Sequence, residues 1–166
     1  DGTVWTQLVT SSAPLARYGA GMAYDVGRQR IVLFGGSNGY PYFADTWEWY
    51  SGNWSPVPTT VTPPGRITSA FVYDTSRQRI LMHGGNSGSG SSWLADTWEW
   101  SGSAWMQLTP PSLPPVLDGF GACYDTNRGA LVLFGGIEGF WQRDDTWEYT
   151  AVPSLVGSAT PYGAGC

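Results

Sequence analysis

The chain has 166 residues with 42% apolar content, enough to bury a core, and no run of 18 apolar residues that would span a bilayer. Only 13% of residues are charged, all eight basic residues are arginine, and the net charge of −5 argues against the basic footprint of a nucleic-acid or anionic-membrane binder. Two cysteines, Cys123 and Cys166, are too few for a disulfide framework, and a bridge between them stays open.

From the N-terminus, no charged-then-apolar leader opens the chain. Residues 4–9 (VWTQLV) are short, β-branched and aromatic and predict a strand. After a proline-bearing loop, the small residues of RYGAGMAYD, from Arg17 to Tyr24-Asp25, predict a strand among crowded backbones. The turn VGRQ leads into Arg30-Ile31-Val32-Leu33-Phe34, an apolar run suited to a strand buried on both faces, which Gly35-Gly36 ends. A loop, SNGYPYFA, brings the chain to Asp45-Thr46-Trp47-Glu48-Trp49, where the two-residue period puts Trp47 and Trp49 on one face. A tight turn at Ser51-Gly52-Asn53 introduces Trp54-Ser55-Pro56-Val57, whose proline marks an edge strand. These segments make four strands, a to d, and no helical periodicity appears anywhere in the chain.

The same order then returns. Asp45-Thr46-Trp47-Glu48-Trp49 recurs as Asp96-Thr97-Trp98-Glu99-Trp100 and as Asp145-Thr146-Trp147-Glu148-Tyr149, at intervals of 51 and 49 residues. Tyr24-Asp25, Tyr73-Asp74 and Tyr124-Asp125 keep the same beat, as do the Gly-Gly pairs at Gly35, Gly84 and Gly135. A period near fifty residues is the signature of a repeat architecture. The copies run over residues 17–57, 66–108 and 117–150, with Leu117 standing where the first two have Arg17 and Arg66. The third copy lacks strand d, because seven residues beyond Trp147 stands Ser154 where the others have Trp54 and Trp105. Trp5 precedes Arg17 by 12 residues, as Trp54 precedes Arg66 and Trp105 precedes Leu117, so residues 4–9 are a d strand without its own a, b and c. Residues 151–166 are expected to be a tail or a junction to a further domain.

This four-stranded unit, with Tyr-Asp, an apolar strand ending in Gly-Gly, and Asp-Thr-Trp-Glu-Trp before a further Trp, resembles the kelch repeat of β-propellers in its bacterial secreted form. The resemblance covers nearly the whole chain, Trp5 to Tyr149. It implies an all-β, kelch-type β-propeller in which residues 1–150 supply three four-stranded antiparallel blades, with a ring commonly closed by a strand from one terminus. Propellers have four to eight blades, so three are expected to be half of a six-bladed ring of two copies, or part of a larger propeller or a longer chain. In a two-copy ring, Trp5 and Leu8 complete the other copy's third blade beside Trp147 and Tyr149, which hides an open sheet edge. A rotation that failed to close would build a filament.

Asp45, Asp96 and Asp145 with Glu48, Glu99 and Glu148 are acidic in every copy, whereas a catalytic carboxylate pair depends on two unlike environments. A structural role is therefore expected, with Asp at a strand-entry turn and Glu bonded to an arginine or a neighbouring blade. Calcium is disfavoured by the absence of a compact D-x-D-x-D loop. His83 is the only histidine and replaces Phe34 and Phe134, which reads as a hydrogen-bonded core residue and leaves no second histidine for zinc. Cys123 reads as a small buried apolar residue, in the place of Ala23 and Val72. Copper of the galactose-oxidase kind needs more histidines than the chain has, and nothing supports the mutarotase activity known among kelch propellers. No serine stands beside a histidine base, so no cofactor, metal or catalytic residue is expected.

Variation is concentrated at one end of the blades. The a–b and c–d turns are regular, while the b–c loops (SNGYPYFA, NSGSGSSWLA, IEGFWQRD) and the proline-rich d–a connections differ from copy to copy. Function tends to sit on variable loops held by a rigid scaffold. These loops carry Tyr40, Tyr42, Trp93, Phe140 and Trp141 with Arg143 nearby, a set suited to stacking on sugars or anchoring a protein partner, or to folding inward over the blade ends. Asn53-Trp54-Ser55 matches an N-glycosylation acceptor inside a tight turn. The composition, rich in aromatic, glycine, serine and threonine residues without lysine, leans toward an extracellular or cell-surface protein. Three readings are open: a non-enzymatic scaffold or binding module that forms a homo-oligomer by strand exchange, a carbohydrate-binding propeller, and a sugar-processing enzyme.

Overall fold

The computed structural model describes residues 2–88 and 92–150. Among these residues lie thirteen strands and no helix. The first sheet contains β1 (Gly21–Asp25), β2 (Arg30–Phe34), β3 (Thr46–Tyr50) and β4 (Asn53–Val57); the second contains β5 (Ala70–Asp74), β6 (Arg79–His83), β7 (Thr97–Trp100) and β8 (Trp105–Leu108). The third holds β9 (Gly121–Asp125), β10 (Ala130–Phe134) and β13 (Thr146–Thr150), and β11 (Ile137–Glu138) pairs with β12 (Trp141–Gln142) as a separate ribbon. All pairing is antiparallel, and each main sheet is ordered as its strands follow in the chain.

Local chemistry explains the repeated turns. Asp25, Asp74 and Asp125 close strand a, and each carboxylate accepts the backbone N–H three residues on, at Arg28, Arg77 and Arg128. The turn then needs a left-handed residue, filled by Gln29, Gln78 and Gly129 at φ of 55°, 56° and 66°. At the other end, the residue after each Gly-Gly pair bridges back to the start of its copy, as Ser37 to Tyr18, Asn86 to Ile67 and Ile137 to Asp118. Gly36 N–H also donates 2.8 Å to the Arg66 carbonyl, joining the first sheet to the second.

The sheets stand side by side, with β1, β5 and β9 in contact in turn. Val32 and Phe34 of the first sheet pack with Phe71, Ile80, Met82, Trp98, Trp100 and Trp105 of the second. Ala70 and Leu81 of the second pack with Leu131 and Leu133 of the third. Each such Val, Leu, Ile, Met or Phe side chain contributes roughly 1.5–3 kcal/mol by leaving water. In the second and third sheets the tyrosine of the Tyr-Asp pair fastens the sheet to the one before it. The Tyr73 hydroxyl accepts the Gly27 N–H at 3.1 Å, and the Tyr124 hydroxyl donates to Asp74. Among the described residues the row is open at both ends.

Three expectations change. Residues 4–9 form no strand, and Trp5 is 103% exposed; a strand needs a ladder partner, and no described strand pairs with this segment. Cys123 is exposed rather than buried, since Ala23 and Val72 each face the next sheet and no described sheet follows the third. Cys166 and the rest of residues 151–166 lie outside the described residues. The third b–c loop is also not all loop, because Gly139-Phe140 turns β11 into β12.

Candidate functional site

At the end where the turns are regular, the acidic residues are held by arginines. Arg28 donates through Nε to Asp25 at 2.8 Å and through NH1 to Glu48 at 2.5 Å; Arg77 joins Asp74 and Glu99, each at 2.8 Å, and Arg128 joins Asp125 at 2.7 Å and Glu148 at 2.6 Å. Burial pushes the Asp74 carboxyl up, yet Tyr124 and Arg77 outweigh it and hold it below the usual carboxylate range. Arg28 also donates 3.0 Å to the Gly102 carbonyl, which links the first sheet's a–b turn to the second sheet's c–d turn.

The strand-entry aspartates form a second repeated network. Arg17 grips Asp45 with NH1 at 2.6 Å and NH2 at 3.0 Å, while the Trp47 indole donates 2.7 Å to the same carboxylate. Arg66 does the same to Asp96 at 2.6 and 2.8 Å, with the Trp98 indole at 2.6 Å. Where Leu117 replaces the arginine, Arg143 takes over, 2.5 Å from Asp145. The Trp147 indole N–H is then buried without a partner among the described residues. Arg143, one of the candidate ligand-binding residues, is partly exposed and pairs with Asp145 and, at 3.3 Å, with Glu138.

The loop aromatics are only partly gathered. Tyr40 and Tyr42 meet edge to face at 6.4 Å, and the Tyr42 ring covers Gly88, tying the first b–c loop to the second. Trp93 is half-buried and bridged to Asn86. Phe140 and Trp141 project into solvent from the β11–β12 ribbon. Among the described residues, Tyr40 and Tyr42 are the only two of this set in ring contact. Asn53 is half-buried, and its amide donates 2.9 Å to Ser11 and accepts the Ser12 N–H, so the glycosylation match falls on an amide already engaged.

His83 sits in the second sheet, where its Nδ1 lies 2.9 Å from Thr97 Oγ1 and its ring 6.3 Å from Phe120. Burial pulls its pKa down to about 4, with Asp96 pulling up and Arg66 pushing down more weakly. A cavity of about 230 Å³ opens beside it between the second and third sheets, lined by Thr97, Leu131, Leu133, Trp147, Tyr149 and the stretch 110–114. Trp147 and Tyr149 therefore line a cavity, while Trp5 and Leu8, their expected companions, are exposed. Among the described residues no three His, Cys, Asp or Glu side chains converge to hold a metal. No protein-family model and no curated protein matches this chain.

Proposed function

We propose that this chain is three blades of a kelch-type β-propeller that serves outside the cell as a non-enzymatic scaffold or binding module. It presents its variable loops on one face and assembles with a second copy by strand exchange. The observation that carries this reading is the contrast between the two ends of the sheets. At one end every repeated carboxylate is matched to an arginine in the same way in each copy, which leaves no unlike pair for acid–base work. At the other end the loops differ, and two of them carry aromatics in the open, Tyr40 in the first b–c loop and Phe140 and Trp141 in the third.

Exposed Phe140 and Trp141 also favour a carbohydrate-binding reading, since aromatic faces stack on sugar rings. Two measurements separate the readings. Sedimentation of the full chain should show a species heavier than the 18.0 kDa monomer, and a monomer at every concentration refutes the assembly. Binding on a glycan array that disappears in Trp141→Ala and Phe140→Ala would make the protein a lectin, whereas turnover of a sugar would refute the non-enzymatic reading.

A further inference from the structure

The cavity between the second and third sheets has a filled counterpart one interface earlier. There Trp105 is 3% exposed; its indole donates 2.9 Å to Thr46 Oγ1, and its ring lies 5.1 Å from Phe34, 5.3 Å from Trp100 and 6.2 Å from Phe71. Moved on by one copy, Thr46 becomes Thr97, Phe34 becomes His83 and Trp100 becomes Tyr149, and all three line the empty cavity. Ile80, Met82 and Trp98 become Leu131, Leu133 and Trp147, which line it too. Among the described residues, the third sheet lacks the strand that would bring an indole there.

We propose that this cavity is an indole socket and that its occupant is Trp5 of a second copy, hydrogen-bonded to Thr97 Oγ1. The proposal rests on the strand-exchange reading above and adds the residue-level contact. Trp5-Thr6-Gln7-Leu8 repeats Trp105-Met106-Gln107-Leu108 at three of four positions. The β7–β8 register pairs Trp100 with Trp105 and Thr97 with Leu108, so its copy on β13 sets Trp5 opposite Tyr149 and Leu8 opposite Thr146. Thr97 has room for the bond: a hydroxyl has one donor and two lone pairs, and His83 uses only one of these.

The outer faces point to the same occupant. Phe34 is 1% exposed beneath the second sheet, but its equivalent Phe134 on the third sheet is 59% exposed beside Cys123. At the opposite end of the row Met22 and Tyr24 are exposed, although their equivalents Phe71 and Tyr73 are covered by or fastened to the preceding sheet. One end of the row thus offers what the other receives, which is the continuation of an interface already present twice in the chain. A second copy supplies that continuation and the missing strand together.

The ladder can be tested at single-residue resolution. Pro56 sits in β4 opposite Trp47, so its position needs no donor N–H, and the equivalent position in the arm is Gln7. Antiparallel alternation makes position 6 a donor. Equilibrium sedimentation of full-length variants should therefore find association abolished in Thr6→Pro and kept in Gln7→Pro. Trp5→Ala, at an exposed site that cannot unfold the monomer, should weaken association at least about thirtyfold. Trp5→Phe and Thr97→Val should each weaken it, with the double variant no worse than the stronger single one. Association lost in Thr6→Pro but undiminished in Trp5→Ala overturns the socket and leaves strand exchange standing. Association unchanged in all of them, or a monomeric wild type, overturns both.

Discussion

Replacing Arg66 by leucine isolates the strand-entry network, because position 117 of the third copy is already leucine. The Arg66 side chain is 0% exposed and holds four contacts: both Asp96 oxygens at 2.6 and 2.8 Å, the Gly84 carbonyl at 2.9 Å and the Pro64 carbonyl at 3.1 Å. Leucine keeps the apolar volume and removes every donor, leaving the Asp96 carboxylate with the Trp98 indole and its own backbone N–H. Stripping one partner from a buried ion pair costs about 3–5 kcal/mol, a large share of the roughly 5–15 kcal/mol of a whole domain. The pH dependence has a definite sign. Burial pushes the Asp96 carboxyl up, but Arg66 and Trp98 more than reverse it and hold it low. A folded pKa below the unfolded value, near 3.9, gives stability that is present above about pH 4 and lost as pH falls through the folded pKa. The penalty of Arg66→Leu should accordingly be largest at pH 7 and shrink toward pH 3 in urea unfolding followed by circular dichroism. Adding Leu94→Arg, the equivalent of Arg143, should restore part of the loss. A penalty under about 1 kcal/mol at pH 7, or one unchanged at pH 3, refutes the reasoning.

His83→Phe, which installs the residue found at positions 34 and 134, should flatten the stability profile between pH 6.5 and 4. With the imidazole held to about 4 when folded and near 6.5 when unfolded, the unfolded chain binds the extra proton in that window, so wild-type stability falls by roughly 3 kcal/mol on acidification and the variant's does not; parallel curves contradict this. Arg77→Met should cost about 2 kcal/mol, since Asp74 beneath it is buried. Arg128→Met, in the same network where both partners are well exposed, should leave the melting temperature unchanged. Gly129→Ala should cost about 1 kcal/mol in urea unfolding, because the turn keeps this residue at φ 66°.

The strands themselves were readable because their signals are local. The apolar run 30–34, the Gly-Gly stop and the Asp-Thr-Trp-Glu repeat become β2, its end and β3, and the same holds one copy on for β6 and β7. Partnerships across the sheet were less visible. Arg28, Arg77 and Arg128 stand in obviously regular turns, yet their bonds to Glu48, Glu99 and Glu148 span 20 to 22 residues and follow from the pairing of b with c. Arg143 stands on a variable loop, and its side chain replaces the arginine missing at Leu117 by reaching Asp145 two residues on. The ribbon β11–β12 did carry a short-range sign, Ile-Glu-Gly-Phe-Trp-Gln, with Gly139 at φ 64° opening a two-residue hairpin. Residues 4–9 show the limit of pattern reading, since alternation and branching describe a segment able to be a strand and a ladder is needed to make it one.

The ten tryptophans divide in a way that ties fold to assembly. Trp93 and Trp141 belong to the variable loops, and the other eight recur with the repeat. Trp47, Trp98 and Trp147 flank the entry aspartates, and Trp49 and Trp100 lie opposite the strand-d residues Trp54 and Trp105. Of the repeated indoles at positions 5, 54 and 105, Trp105 alone reaches a preceding sheet inside the chain, and it is the one that is buried. Trp54 has no preceding sheet to reach and stays half-buried beside Trp49, while Trp5 has no sheet at all and stands in water. Burial of an indole therefore tracks the presence of a neighbouring sheet rather than the local sequence, which is nearly the same at positions 5 and 105. Two copies set end to end would give Trp54 the face of Phe134 and Trp5 the cavity at Thr97, so one rule would place all three.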